Sequence, residues 1–310
     1  MSEVVRRGGG GRIEWLDSAR GIAIILVVLG HCIGYIDDPL NKVILSFHMP
    51  TFFFLSGICM KREESWKAFA KKRFQRMVGW QILLAGICMG YDFIQSHSIN
   101  FVSNLFVWFL PVLFCSEIVF QILCKVVSVN LKTCVLLVLI SGLLQLLPVH
   151  TVIHIEIVPT AVLFLALGYS FKNLLAENHN LIEQIGKYGV VALPFVVLLA
   201  EINQPVMMYN NDYGNYALFI LAAIMGCLVI IAMGKATQRS DVLQSFGRNS
   251  ILIYVLHFRM TGVLHFLISK VGSTSYDLYL SPFYWGIFGL EMLTLYIAAV
   301  LYERLRRFSR

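Results

Sequence analysis

Residues 17–31, Asp17-Ser18-Ala19-Arg20-Gly21-Ile22-Ala23-Ile24-Ile25-Leu26-Val27-Val28-Leu29-Gly30-His31, read DSARGIAIILVVLGH. Ten consecutive uncharged residues separate an arginine from a histidine. The run is apolar and rich in β-branched side chains, as suits a helix in lipid rather than in water. On a helix, eleven residues turn about 1100°, three turns plus about 20°, so Arg20 and His31 share a face about 16 Å apart along the axis. Asp17 lies three residues before Arg20, on nearly the same stripe. An ionisable residue inside a membrane helix costs free energy and marks a functional position by default.

The rest of the chain agrees with the membrane reading. Its 310 residues are 58% hydrophobic and only 14% charged, with a mean hydropathy of +0.73. A soluble domain carries roughly a quarter charged residues. Ten apolar stretches of roughly membrane length follow one another, near 18–36, 43–60, 77–95, 103–124, 132–148, 154–172, 188–202, 216–234, 249–269 and 283–302. The fold expected is therefore an all-α polytopic bundle of about ten transmembrane helices. Residues 1–13, with Gly8 to Gly11 and Arg6, Arg7 and Arg12, form an expected flexible basic tail, and 14–310 a single transmembrane domain. The one long polar interval between spans, 61–77, reads KREESWKAFAKKRFQRM.

Charge placement orients the bundle. With the N-terminus inside, 22 of the 25 Lys and Arg residues fall on cytoplasmic segments. Lys42 and Lys270 fall outside, and Arg259 lies within a span. An even span count with both termini cytoplasmic follows from the positive-inside rule. The net charge of +7 is thus explained by orientation, and nucleic acid is not expected as a partner. The seven cysteines show no CxxC pair and no cluster with histidine, so neither a metal site nor a disulfide framework is expected.

Several motifs in order resemble one family. The Arg20–ten residues–His31 spacing looks like the signature of the acyltransferase-3 superfamily of integral membrane acyltransferases. FHMPTFFFLSG (Phe47 to Gly57) is similar to its His-x-Pro, aromatic, Ser-Gly segment. WFLPVLF (Trp108 to Phe114) resembles its fourth-span motif. YGNY (Tyr213 to Tyr216) and GRNSILIYVLH (Gly247 to His257) resemble late segments of the subgroup related to fucose 4-O-acetylases. The resemblance covers nearly the whole chain. It departs at RFQRMVGW, where Arg73 and Arg76 are kept but Gly79 and Trp80 stand at the place of a proline and a tyrosine. It implies a multi-pass protein of a bacterial cytoplasmic (inner) membrane, with cytosolic acetyl-CoA as acyl donor and a carbohydrate hydroxyl, possibly lipid-linked, as acceptor.

The residues then take expected roles. A neutral imidazole suits proton removal from a hydroxyl near neutral pH, so His31 is the expected general base. His48, at similar depth on the second span, is an orienter, oxyanion donor or second proton carrier, or else a helix-start residue before Pro50. Arg20, Arg73 and Arg76 are the expected clamp for the donor's phosphates, since guanidinium binds phosphate bidentately. The acceptor-side candidates are Trp108, Glu156, Tyr213 and Asn215. Arg259 and Glu291, near mid-membrane on consecutive spans, are expected to form a structural ion pair. Glu117 and His257 fall in the inner halves of their spans and either line the donor route or satisfy neighbouring polar groups. A glycan transporter is the rival reading. Against it, the chain shows no inverted repeat and no matching pair of broken spans.

Overall fold

The structure, a computed structural model, describes residues 7–8, 12–97, 107–147, 149–269 and 282–308. Lys270 and most of the basic tail lie outside the described residues. The described part of the tail is an antiparallel pairing of Arg7–Gly8 with Arg12–Ile13. Everything else regular is helical. The long helices are α1 (Glu14–Ile33), α2 (Pro39–Cys59), α3 (Trp66–Ser96), α4 (Phe109–Val126), α5 (Leu131–Leu144) and α6 (Val158–Glu177). After α7 (Leu181–Tyr188) and α8 (Leu193–Ile202) come α9 (Tyr216–Ala236), the short α10 (Asp241–Arg248), α11 (Ser250–Ser269) and α12 (Pro282–Phe308).

Among the described residues, eight helical stretches are long and apolar enough to cross a bilayer, and α5 and the apolar part of α11 are shorter ones. The protein is an all-α polytopic membrane protein. The expected span 188–202 is a broken unit. α7 runs through a 3-10 turn, Gly189–Ala192, into α8, and together they cover 181–202.

Boundaries follow local chemistry. α1 ends at Gly34, whose φ of 68° is left-handed and whose N–H closes on the Gly30 carbonyl, as helix ends prefer. α2 opens with Asp38 accepting from the Asn41 N–H and with a proline in its first turn. The polar interval 61–77 is where reading and structure differ most. α3 begins at Trp66, capped by the Ser65 hydroxyl accepting from the Ala68 N–H. Its first three turns thus extend the third span's helix back through most of the polar interval, because WKAFAKKRFQRM consists largely of good helix formers. Arg73 and Arg76 thus sit on a rigid face.

α1 lies at the centre, packed on α2, α9, α10 and α11. α2 crosses α6 where Gly57 meets the Leu165 backbone and Gly168 meets the Phe54 backbone, with no room for a Cβ on either glycine. α10 presses on α1 through another glycine pair. A Cβ on Gly21 would overlap the Leu243 carbonyl, and one on Gly247 the Asp17 carbonyl. That close approach brings the start of α11 alongside the Arg20 level of α1.

Candidate active site

The helices enclose a cavity of about 710 Å³, within the size range of small-molecule sites. Its wall is built from stripes at helical spacing. α1 gives Asp17, Arg20, Ile24 and Val27. α2 gives Met49, Phe52, Ser56 and Cys59. α3 gives Arg73, Arg76, Met77 and Trp80, and α4 gives Phe109, Leu113 and Glu117. The α10–α11 junction adds Arg248 to Leu252 and Tyr254, and α12 adds Tyr302 and Arg306. The stripes on α1 to α4 and α12 follow the three- and four-residue spacing of one helix face.

One end of this cavity is cationic. Arg20, Arg73, Arg76, Arg248 and Arg306 line it, against the carboxylates of Asp17 and Glu117. Arg20, Arg73, Arg306 and Glu117 all lie within electrostatic reach of Arg76. Arg20 donates to the Leu55 carbonyl at 3.4 Å and to Cys59 Sγ at 3.2 Å, which aims its guanidinium along α2. Arg73 pairs with Glu117 at 2.5 Å. Arg248 is held by Glu303 at 2.9 Å, and Asn249 donates to the same carboxylate at 2.8 Å. Trp80 meets Tyr302 edge-on at 5.8 Å, so flat aromatic surface stands beside the arginines.

The other end is apolar and leads toward histidines. Ile24 and Val27 continue the α1 stripe to His31, one turn beyond Val27. Phe109 packs on Tyr254 at 5.2 Å, and Tyr254 on His257 at 5.7 Å. The His31 ring lies 5.2 Å from that of His257, tilted by 54°. His31 is an exposed residue and is not among the described residues that line the cavity. His48 is buried within electrostatic reach of His31. Its Nδ1 stands 2.8 Å from the Ile44 carbonyl. A carbonyl only accepts, so Nδ1 carries the hydrogen and Nε2 is left as the acceptor. His257 has the same arrangement with Ile253 at 3.1 Å.

The structure thus brings Arg20, Arg73 and Arg76 into one cavity, whereas His31 and His48, within electrostatic reach of each other, do not line it, although Val27 and Met49 beside them in the chain do. Sequence reading passed over Arg248 and Arg306 as orienting charges. It put His257 in the inner half of its span, on the donor route or satisfying a neighbouring polar group, whereas His257 stands against His31. The acceptor-side candidates are not on the wall. Trp108 precedes α4 and packs edge-on against Phe109 at 5.8 Å. Glu156 lies in the 3-10 turn Ile155–Ile157 and accepts from the Thr151 hydroxyl and N–H at 2.7 and 3.2 Å. Tyr213 is buried against Phe219 at 4.6 Å. Outside the spans, that burial pushes its phenol pKa above the ordinary value. The Asn215 side chain caps α9, accepting from the Ala217 and Leu218 N–H groups.

The expected Arg259–Glu291 pair does not form. Arg259 pairs instead with Asp92 of α3 at 3.0 Å and lies over the Tyr91 ring. Glu291 accepts from the Cys32 thiol and the Thr261 hydroxyl, both at 3.2 Å. The reason is azimuth. Thr261 and Arg259 are two residues apart, about 200° around α11. If Thr261 faces Glu291, Arg259 faces away, toward α3.

Residues 13–303 match the family described as an acyltransferase domain of the acyltransferase-3 type. The chain belongs to that family. No curated protein and no solved structure matches the chain. Family membership makes this protein a membrane acyltransferase, and the cavity is its candidate active site.

Proposed function

We propose that this acyltransferase moves an acetyl group from cytosolic acetyl-CoA to a carbohydrate hydroxyl, with His31 as general base. The observation that supports this most is one cavity with two unlike ends. Arg20, Arg73, Arg76 and Arg306 stand at one end, and an apolar wall of Ile24, Val27 and Met49 runs toward His31. Guanidinium groups suit the donor's phosphates, and Trp80 and Tyr302 offer its adenine a flat apolar surface. The stretch of α1 from Arg20 to His31, about 16 Å, matches the reach of an extended pantetheine arm.

At the far end, the His31 imidazole takes the acceptor proton as the hydroxyl oxygen attacks the thioester carbonyl. His257 and His48, packed around it, orient the ring or stabilise charge on the carbonyl oxygen. In this reading the arginine end faces the cytoplasm and the acceptor approaches from the outer side, as a surface polysaccharide or a lipid-linked sugar.

The test is CoA binding by calorimetry to detergent-purified protein. Wild type is expected to bind, and Arg76→Ala to weaken binding by about tenfold or more, the loss of a charge-assisted hydrogen bond, with an unchanged melting temperature. Absence of binding to well-folded wild type removes the donor assignment.

A further inference from the structure

A carboxylate is an odd wall for a phosphate site. Glu117 lines the cationic end of the cavity and is only 1% exposed. Its Oε1 accepts from Arg73, while Oε2 is buried with no hydrogen-bond partner among the described residues. A buried acceptor left without a hydrogen bond costs free energy, more so when charged. Arg20 and Arg76 offset the charge from within electrostatic reach but do not occupy Oε2. Toward a bare phosphate, Glu117 is repulsive and cancels part of what the arginines contribute. The arrangement makes sense for a ligand that is anionic and also carries its own N–H or O–H groups next to its phosphates.

We infer that Glu117 is a specificity-determining residue whose Oε2 accepts a hydrogen bond from an N–H or O–H of the bound donor. The inference rests on the donor reading above. The groups in question are those of a nucleotide-type donor: the adenine amino group, a ribose hydroxyl or the nearest pantetheine amide. Glu117 stands two turns of α4 below Phe109, at the level of Arg73, so it meets the nucleotide end rather than the thioester. The cavity would thereby prefer CoA over simple polyanions of similar charge. A site that hydrogen-bonds its ligand rejects the analogue lacking that group, because its own buried acceptor then goes unpaired. Arg73 is shared, so Glu117 also links the anion-binding and donor-reading parts of the site.

The experiment titrates CoA and inorganic pyrophosphate into wild type, Glu117→Gln and Glu117→Asp. Gln keeps an oxygen for Arg73 but turns the second position from acceptor to donor. CoA affinity is expected to fall about tenfold in Glu117→Gln, while pyrophosphate binding stays level or tightens as a negative charge is lost. Glu117→Asp, which keeps the charge, is expected to lie between and provides the reading if the Gln variant misfolds. If CoA and pyrophosphate weaken together, Glu117 only holds Arg73 and the inference is overturned while the donor site stands. If CoA binds each variant as well as wild type, the inference also falls. If wild type binds pyrophosphate but not CoA, the donor reading itself fails.

Discussion

Two walls of the cavity are built from different kinds of structure. One stands on α1 and α2, which carry Arg20, His31 and His48 and whose interior faces are buried against α6, α9 and α10, with backbone touching backbone at Gly57 and Gly168 beside Arg20. The other takes Arg73 and Arg76 from α3 and Arg306 from α12, helices whose surfaces are mostly open to the surroundings. Gly79, Gly86 and Gly90 of α3 would meet nothing if given a Cβ. Besides its buried residues Met77, Leu84 and Cys88, ion pairs tie α3 at two levels: Arg73 to Glu117 of α4, and Asp92 to Arg259 of α11. On the proposed function, the closely packed wall carries the transfer site while the more open wall receives a large, flexible donor.

If that contrast holds, the same change should act oppositely in the two halves. Gly168→Val forces side-chain atoms into the Phe54 backbone and is expected to cost at least ~3 kcal/mol, the upper range of overpacking. The readout is loss of monodisperse protein in detergent. Gly86→Ala in α3 is expected to leave the melting temperature unchanged or raise it, since alanine favours helix by about 1 kcal/mol. Equal damage from both would erase the distinction.

A smaller effect tests how α3 is fastened. A double-mutant cycle on Asp92→Asn and Arg259→Gln should show a coupling of about 1 kcal/mol, whereas Arg259 and Glu291 should be additive within about 0.5 kcal/mol. Thermal or denaturant unfolding of the four-variant sets measures both. Coupling of Arg259 to Glu291 instead would restore the pairing expected from depth alone. Smallest is Asn215→Ala, expected to cost about 1 kcal/mol as a lost helix cap. It should leave the rate dependence on acceptor unchanged. A selective loss of acceptor affinity would show that Asn215 contacts the sugar.

The sequence made the α1 stripe legible because eleven residues return a helix to the same face whatever surrounds it. The same geometry carried Asp17, Arg20, Ile24 and Val27 onto one wall. Which stretches are apolar enough to cross a membrane was legible too, from hydropathy. Azimuth was not. Arg259 and Glu291 share a depth, and only the packing of α11 between α3 and α12 shows that they face different neighbours. The start of α3 was hidden because hydropathy marks only the apolar part of a helix, from 77 on, although Ser65 and the helix-forming run after it were visible. Asn215 looked available for a ligand because a cap and a binding group are the same residue type. Its use by the Ala217 and Leu218 amides appears only in three dimensions. The clustering of Arg248 and Arg306 with the α3 arginines joins residues up to 233 positions apart (306 minus 73), beyond any local pattern.

The central claim is a division of labour along one helix: donor held at Arg20, acyl transfer at His31. The most direct test expresses wild type and His31→Ala, at matched membrane levels, in cells lacking the native gene. Alkali-labile acetate is then measured on isolated glycans, and CoA binding on the purified proteins. His31→Ala is expected to bind CoA within about twofold of wild type, well under the tenfold that a lost hydrogen bond would give, and to yield no acetylated glycan. A His31→Ala protein that acetylates as wild type does would contradict it.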